Sequence, residues 1–223
     1  MDGPSTARVV FGDRYPAAER YVALLAGPGV IRGVIGPREA DRLWERHLLN
    51  SAVVGELVPD GAAVLDVGSG AGLPGIPLAL ARPDLSVALL EPMARRVVWL
   101  NEIVADLGLP VRVHRGRVED SGVRAELGAW DVVTARAVAP LGRLAHWCMP
   151  LVAPGGQLLA IKGAGAGEEV ARDTDAVRSA GGAGVEVVRC GAAVVRPPTT
   201  VVVVRRRSER AAQTAAARRR KDR

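Results

Sequence analysis

The segment Val64-Leu65-Asp66-Val67-Gly68-Ser69-Gly70-Ala71-Gly72-Leu73-Pro74-Gly75 closes an apolar run and opens a helical one. Glycines at such a junction let the chain turn sharply and let a ligand approach the backbone. Residues 70–75 match the pattern GxGxxG, which on its own is shared by several nucleotide folds. Two acids narrow the chemistry. Asp66 stands two residues before Gly68, where a carboxylate would repel the pyrophosphate of a dinucleotide. The same carboxylate suits a cofactor bearing an ammonium and a sulfonium, so the spacing points to S-adenosylmethionine. Glu91 lies 23 residues after Gly68, at the end of the next apolar run, placed to accept from ribose hydroxyls. The following run ends at Arg117-Val118-Glu119-Asp120, whose backbone can flank an adenine edge. The run after that ends at Thr134-Ala135-Arg136-Ala137-Val138-Ala139-Pro140, with Arg136 a lone cation at the mouth of the same crevice.

These residues need strand ends to hold them. Apolar runs at 62–67, 86–90, 111–114, 131–135, 157–161, 185–188 and 199–204 read as strands. Helical stretches lie between them at 76–81, 93–107, 123–127, 141–151 and 168–179. Strands apolar on both faces and separated by helices imply a parallel sheet covered on both sides. Only residues 190–198 separate the last two strands, which is too short for a parallel crossover. The expected fold is therefore α/β, a doubly wound seven-stranded sheet with one antiparallel strand. Residues 13–58 read as N-terminal helices, interrupted at Gly27-Pro28-Gly29. The expected division is a helical extension over 1–58, a cofactor-binding domain over 59–204 and a basic, disordered tail over 205–223.

Composition limits the chemistry further. The 223 residues carry a net charge of +6, but residues 205–223 alone contribute +7 and the rest sums to −1. The sequence pI of 10.3 thus reflects an appendage suited to a polyanion. Of 30 basic residues only Lys162 and Lys221 are lysine, so a multi-lysine site for ribose methylation is excluded. Cys148 and Cys190 fall at core-like positions, unlike the nucleophile that pyrimidine C5 methylation needs. Neither belongs to a CxxC pair, and no metal site is expected. The loop after the fourth strand lacks the Asn/Asp-Pro-Pro-aromatic pattern used on exocyclic amines. A ring nitrogen with a free lone pair needs no base and remains. Trp44 is the candidate platform for a stacked base, and His47 is read as a packed helix residue. No apolar run spans a bilayer and no secretory leader is evident, so a cytoplasmic location is expected.

Several blocks together resemble the RsmG (GidB) family of bacterial 16S ribosomal RNA methyltransferases. They are Arg46-His47-Leu48-Leu49-Asn50-Ser51, the glycine block over residues 66–77, Leu90-Glu91-Pro92 with Arg95-Arg96, residues 116–119, and Asp131-Val132-Val133-Thr134-Ala135-Arg136-Ala137-Val138-Ala139-Pro140-Leu141. The similarity covers about residues 38–165. It implies a Rossmann-like class I S-adenosylmethionine-dependent methyltransferase acting on guanine N7 in the 530 loop of 16S ribosomal RNA. By position in those blocks, Gly68, Gly70, Leu73, Glu91, Val118, Glu119 and Arg136 would bind the cofactor, and Arg136 is also the candidate catalytic residue. The implied partner is the small ribosomal subunit, met by a monomer. Asn50 stands where most members have Asp, and residues 27–38 lack the usual Trp-Asn segment. A methyltransferase for a small molecule or protein, and a non-catalytic RNA-binding module, are the alternatives.

Overall fold

A computed structural model of the protein describes residues 3–208. Seven strands form one sheet: β1 (Ala63–Val67), β2 (Ser86–Glu91), β3 (Arg112–Arg115), β4 (Trp130–Arg136), β5 (Val152–Lys162), β6 (Gly182–Cys190) and β7 (Thr199–Arg206). Their spatial order is β3-β2-β1-β4-β5-β7-β6, so the sheet is doubly wound as expected. The first five strands are parallel, and β7 runs antiparallel to both β5 and β6. The antiparallel strand is last in sequence yet lies inside the sheet, between its two neighbours.

Alternate strand residues feed two cores, as the period of two requires. In β7, Val201 and Val203 join the core under the N-terminal helices, while Val202 and Val204 join the opposite one. The first core is covered by α1 (Gly3–Phe11), α2 (Tyr15–Leu24), α4 (Gly75–Ala81) and α5 (Ala94–Asp106). The second is covered by α6 (Ser121–Leu127), α7 (Leu141–Cys148) and α8 (Ala166–Ser179). Between Pro37 and Leu57 the chain winds through tight and wide turns around the short α3 (Asn50–Ala52). Phe11, Tyr21, Leu43 and Leu48 from this N-terminal region share one apolar cluster with Val64, Leu89 and Val132 of the sheet.

Four local expectations change. Helix α1 was not anticipated from Gly3-Pro4 and its short polar-studded run. Gly27-Pro28-Gly29 does not break the chain, which continues as a wide turn over Leu25–Gly29. A Cβ on Gly29 would sit 3.3 Å from the Trp99 ring, so this glycine serves close packing. Strand β5 begins five residues early, through Pro154-Gly155-Gly156, which composition marks as a breaker. There a Cβ on Gly156 would lie 2.5 Å from the Asp131 carbonyl, so only glycine lets β4 come this close. At the other end, Arg205 and Arg206 belong to β7, although they begin the span expected as tail. The remainder of that tail, residues 209–223, lies outside the described residues.

Candidate active site

The carboxyl edge of the parallel strands gathers the residues singled out from sequence. The turn after β1 has positive φ at Gly68 (71°), Gly70 (58°) and Gly72 (111°). At Gly68 a Cβ would stand 2.7 Å from Val138 Cγ2, on the loop after β4. Thus the turn takes this path only with glycine, and two strand ends close on one another there. The Gly68 and Ser69 amides donate to the Leu90 carbonyl at 2.8 and 3.2 Å, tying the turn to β2.

Glu91 ends β2 and is 1% exposed. Its Oε2 accepts from the Gly70 amide at 2.9 Å and its Oε1 from the Met93 amide at 3.0 Å. Each oxygen keeps a further lone pair. Arg96 lies over it, Nη1 4.0 Å from Oε1. The Arg96 Nε is buried and lacks an acceptor, the sole side-chain polar atom of that kind among the described residues. An orphaned donor beside a buried acid marks where a polar ligand would complete the network. A hydroxyl-rich group fits this donor set, and at Gly70 a Cβ would meet nothing nearer than 3.8 Å, which leaves the backbone open there.

Asp66 behaves differently from its expected role. It is fully buried, and its Oδ2 accepts from the Gly75 amide at 3.0 Å. The Thr134 hydroxyl is 3.4 Å from Oδ1. The nearest unsatisfied donor is the start of α4, so the carboxylate turns there and away from the crevice. Burial pushes its pKa up to about 7, against the hydrogen bond from Gly75. The helix start that would hold a pyrophosphate in a dinucleotide fold is therefore filled from within.

Beneath the turn, the Ala71 carbonyl accepts from the Tyr21 hydroxyl at 3.0 Å and the Trp99 indole at 3.1 Å. Neither Trp99 nor Tyr21 stands out in the sequence. Its only visible signal was a tyrosine on the amphipathic α2. Leu73 is half-buried in the same turn. Val118 is buried and Glu119 exposed, with Glu119 3.4 Å from Arg117. Arg124 donates to both their carbonyls at 3.0 Å, which fixes this loop beside the crevice.

Arg136 ends β4 and binds the helical region through three partners. Nη1 donates to Ser51 Oγ at 3.3 Å, and Nη2 donates to the Arg46 carbonyl at 3.3 Å and to His47 Nδ1 at 2.9 Å. A guanidinium only donates, so His47 Nδ1 must be the acceptor and Nε2–H the donor to Glu39 at 2.7 Å. Burial first, and then the Arg136 and Arg46 charges, hold the His47 pKa below its usual value against the pull of Glu39. The imidazole is neutral and orients Arg136. His47 is packed, as expected, and also positions a cation, a role the sequence did not suggest.

Contacts also bear on Trp44, Lys162 and the two cysteines. Trp44 stacks on Tyr15, centroids 5.7 Å apart and planes 8° apart, so one of its faces is already taken. Lys162 Nζ donates to the Ala139 carbonyl at 2.9 Å and to Glu169 at 3.0 Å. It braces the loop after β4 and is not a free base. Burial raises Cys148 to about 12 and Cys190 to about 11, which makes poor nucleophiles. Among the described residues no cluster of three His, Cys, Asp or Glu could hold a metal, and no helix is long and apolar enough to cross a membrane.

Residues 14–197 match the family model of rRNA small subunit methyltransferase G, GidB. A ribosomal RNA small subunit methyltransferase G from Rhodococcus jostii (strain RHA1) is 56% identical over 194 residues, covering 87% of this chain and 86% of that protein. The protein of the same name from Salinispora tropica is 58% identical over 198 residues, covering 86% and 82%. Among solved structures, the S-adenosylmethionine-dependent methyltransferase SibL in its apo form aligns with a TM-score of 0.58 at 21% identity, over 77% of this chain and 57% of that one. Fibrillarin from Aeropyrum pernix, with natively bound S-adenosyl-L-methionine, aligns with a TM-score of 0.53 at 17% identity, over 71% and 74%. At these identities the structures speak to the Rossmann-like fold.

Proposed function

The chain belongs to the rRNA small subunit methyltransferase G family, and from that premise we propose that it methylates N7 of a guanine in the 530 loop of 16S ribosomal RNA. The coarser activity, S-adenosylmethionine-dependent methylation of small-subunit ribosomal RNA, follows from the family. The observation that carries the finer reading is the state of the chain's possible bases and nucleophiles. Lys162 is bound to Ala139 and Glu169, and both cysteines are buried thiols. A hydroxyl or carbon acceptor would need one of them free. A ring nitrogen attacks with its own lone pair, loses no proton and asks only for position.

S-adenosylmethionine, when bound, supplies a methyl group on a positively charged sulfur. The chain's residues then have positioning work. Glu91 keeps lone pairs for ribose hydroxyls, and Arg96 Nε supplies the facing donor. Gly68, Gly70 and Leu73 present the backbone and wall of the turn. Val118 and Glu119 flank the adenine end. Arg136, aimed by neutral His47, stands where β4 ends as a donor that would orient the target base. In the transfer one N–C bond forms as one S–C bond breaks, and the base takes the positive charge. The protein is taken to act as a monomer without metal.

The test is to incubate it with methyl-labelled S-adenosylmethionine and small ribosomal subunits from a strain lacking this modification. Label in 16S RNA, at a guanine made sensitive to borohydride and aniline cleavage, is expected. Label at an oxygen, an exocyclic amine or a protein would overturn the assignment.

A further inference from the structure

A second concavity opens on the same edge of the sheet, beside Arg136. It holds about 560 Å³ between the turns around residues 42–50 and the loop 193–197 that joins β6 to β7. Register places it. Arg136 pairs with Ile161, and its neighbour Lys162 pairs with Thr200 at the start of β7. The loop before β7 therefore rises from the carboxyl edge.

Its walls are built and held. The Thr199 hydroxyl lies 3.1 Å from the Asn50 carbonyl and 2.9 Å from Asn50 Oδ1. The Gly191 amide donates to Glu56 at 3.0 Å, and the Val194 and Val195 amides donate back to the Gly191 carbonyl at 2.9 and 2.8 Å. The lining is cationic, with Arg42, Arg46 and Arg196 against one acid, Glu45. Arg46 is paired to Glu39 at 3.3 Å. Neither Arg42 nor Arg196 has a carboxylate within 4.0 Å among the described residues. By contrast Arg20, Arg82 and Arg172 are each held by an aspartate at 2.9 Å or less. Through its carbonyl, Arg46 also joins the groove to Arg136 and so to the reaction crevice.

We infer that this groove seats the sugar-phosphate backbone of the RNA strand next to the target base. The inference rests on the RNA substrate proposed above. Two unneutralised guanidinium groups on a preformed wall match successive phosphates, which they can bind in a bidentate way. Contacts of this kind set register and affinity and leave the choice of base to the crevice.

The full chain with Arg42→Ala and Arg196→Ala tests it against a second pair, Arg143→Ala and Arg178→Ala, which removes the same charge from α7 and α8. Binding to protein-free 16S RNA and to small subunits is measured across salt, with melting curves confirming that both variants fold. The groove pair should weaken RNA binding roughly tenfold or more at low salt and lower the slope of log K against log salt by about 1 per residue. Calorimetric affinity for S-adenosylmethionine and the modified nucleotide should not change, and the α7–α8 pair should stay within about twofold of wild type. Equal loss in both pairs, or an unchanged slope in the groove pair, would overturn the inference while sparing the RNA substrate. Loss on assembled subunits alone would mean that a ribosomal protein fills the groove. Wild-type protein that binds no RNA would bring down the substrate reading and this inference together.

Discussion

The two edges of the sheet present cavities of opposite character. At the amino edge, where β1, β4 and β5 begin and β7 ends, lies a cavity of about 740 Å³. It is the larger, yet it is lined by Glu56, Asp60, Asp131 and Glu186 with Arg205 as the only cation. Its acids are used within the fold, since Asp131 accepts from the Ala63 amide at 2.9 Å and Glu56 from Gly191. The carboxyl edge carries positive-φ glycines, a buried acid, an orphaned donor and unneutralised arginines. On the reading proposed above, a polyanion would be repelled at the first edge and drawn to the second. Volume alone would choose wrongly, whereas unspent donors and charge choose the edge that parallel α/β sheets use.

That contrast can be broken in several ways. Gly68→Ala should have the largest effect. A left-handed φ and a Cβ 2.7 Å from Val138 Cγ2 should together cost about 2–4 kcal/mol of stability, read by denaturant unfolding. Cofactor binding should fall with it. Glu91→Ala should weaken S-adenosylmethionine by about 1.5–3 kcal/mol in calorimetry, since a charged acceptor is lost. Unchanged affinity would move the ribose elsewhere. Arg136→Ala should lower turnover by about ten- to a hundredfold, because a donor that orients the target base is lost. Full activity would return Arg136 to a structural tie between β4 and the helices.

A smaller effect is expected at His47, whose folded pKa lies below the usual 6.5. The unfolded chain then binds more protons as pH falls below 6.5, so stability is complete above that value and declines beneath it. Arg136, Arg46 and Glu39 are the charges facing the ring. His47→Gln keeps an acceptor and a donor, so it should cost under about 1 kcal/mol at pH 7.5 and flatten the acid limb. At the amino edge, Glu186→Gln breaks an exposed pair with Arg205 at 3.6 Å. It should move stability by less than about 0.5 kcal/mol and leave turnover alone. A clear loss of turnover there would erase the distinction between the edges.

Much of this arrangement was legible in the sequence. Apolar runs located all seven strands, and they are plainest in β1 and β2, which are buried on both faces. The candidate residues stood out because Asp66, Glu91 and Arg136 fall at or next to strand ends. What stayed hidden depends on contacts between distant segments. Gly27 to Gly29 and Pro154 to Gly156 look like breakers, and only the approach of Trp99 or Asp131 explains them. The orientation of Asp66 was missed because sequence shows a carboxylate near a turn but not which donor it answers. Trp44 looked open on both faces until Tyr15 came to lie against one.

The Ala71 carbonyl receives one donor from α2 and one from α5. These helices are 50 and 28 residues away from it in sequence. The N-terminal helices are thus part of the floor on which the glycine turn rests. A shortened chain starting at residue 59 would keep every strand and lose the Tyr21 donor beneath the glycine turn. For protein engineering, the smallest unit that keeps this floor intact includes the N-terminal helical extension.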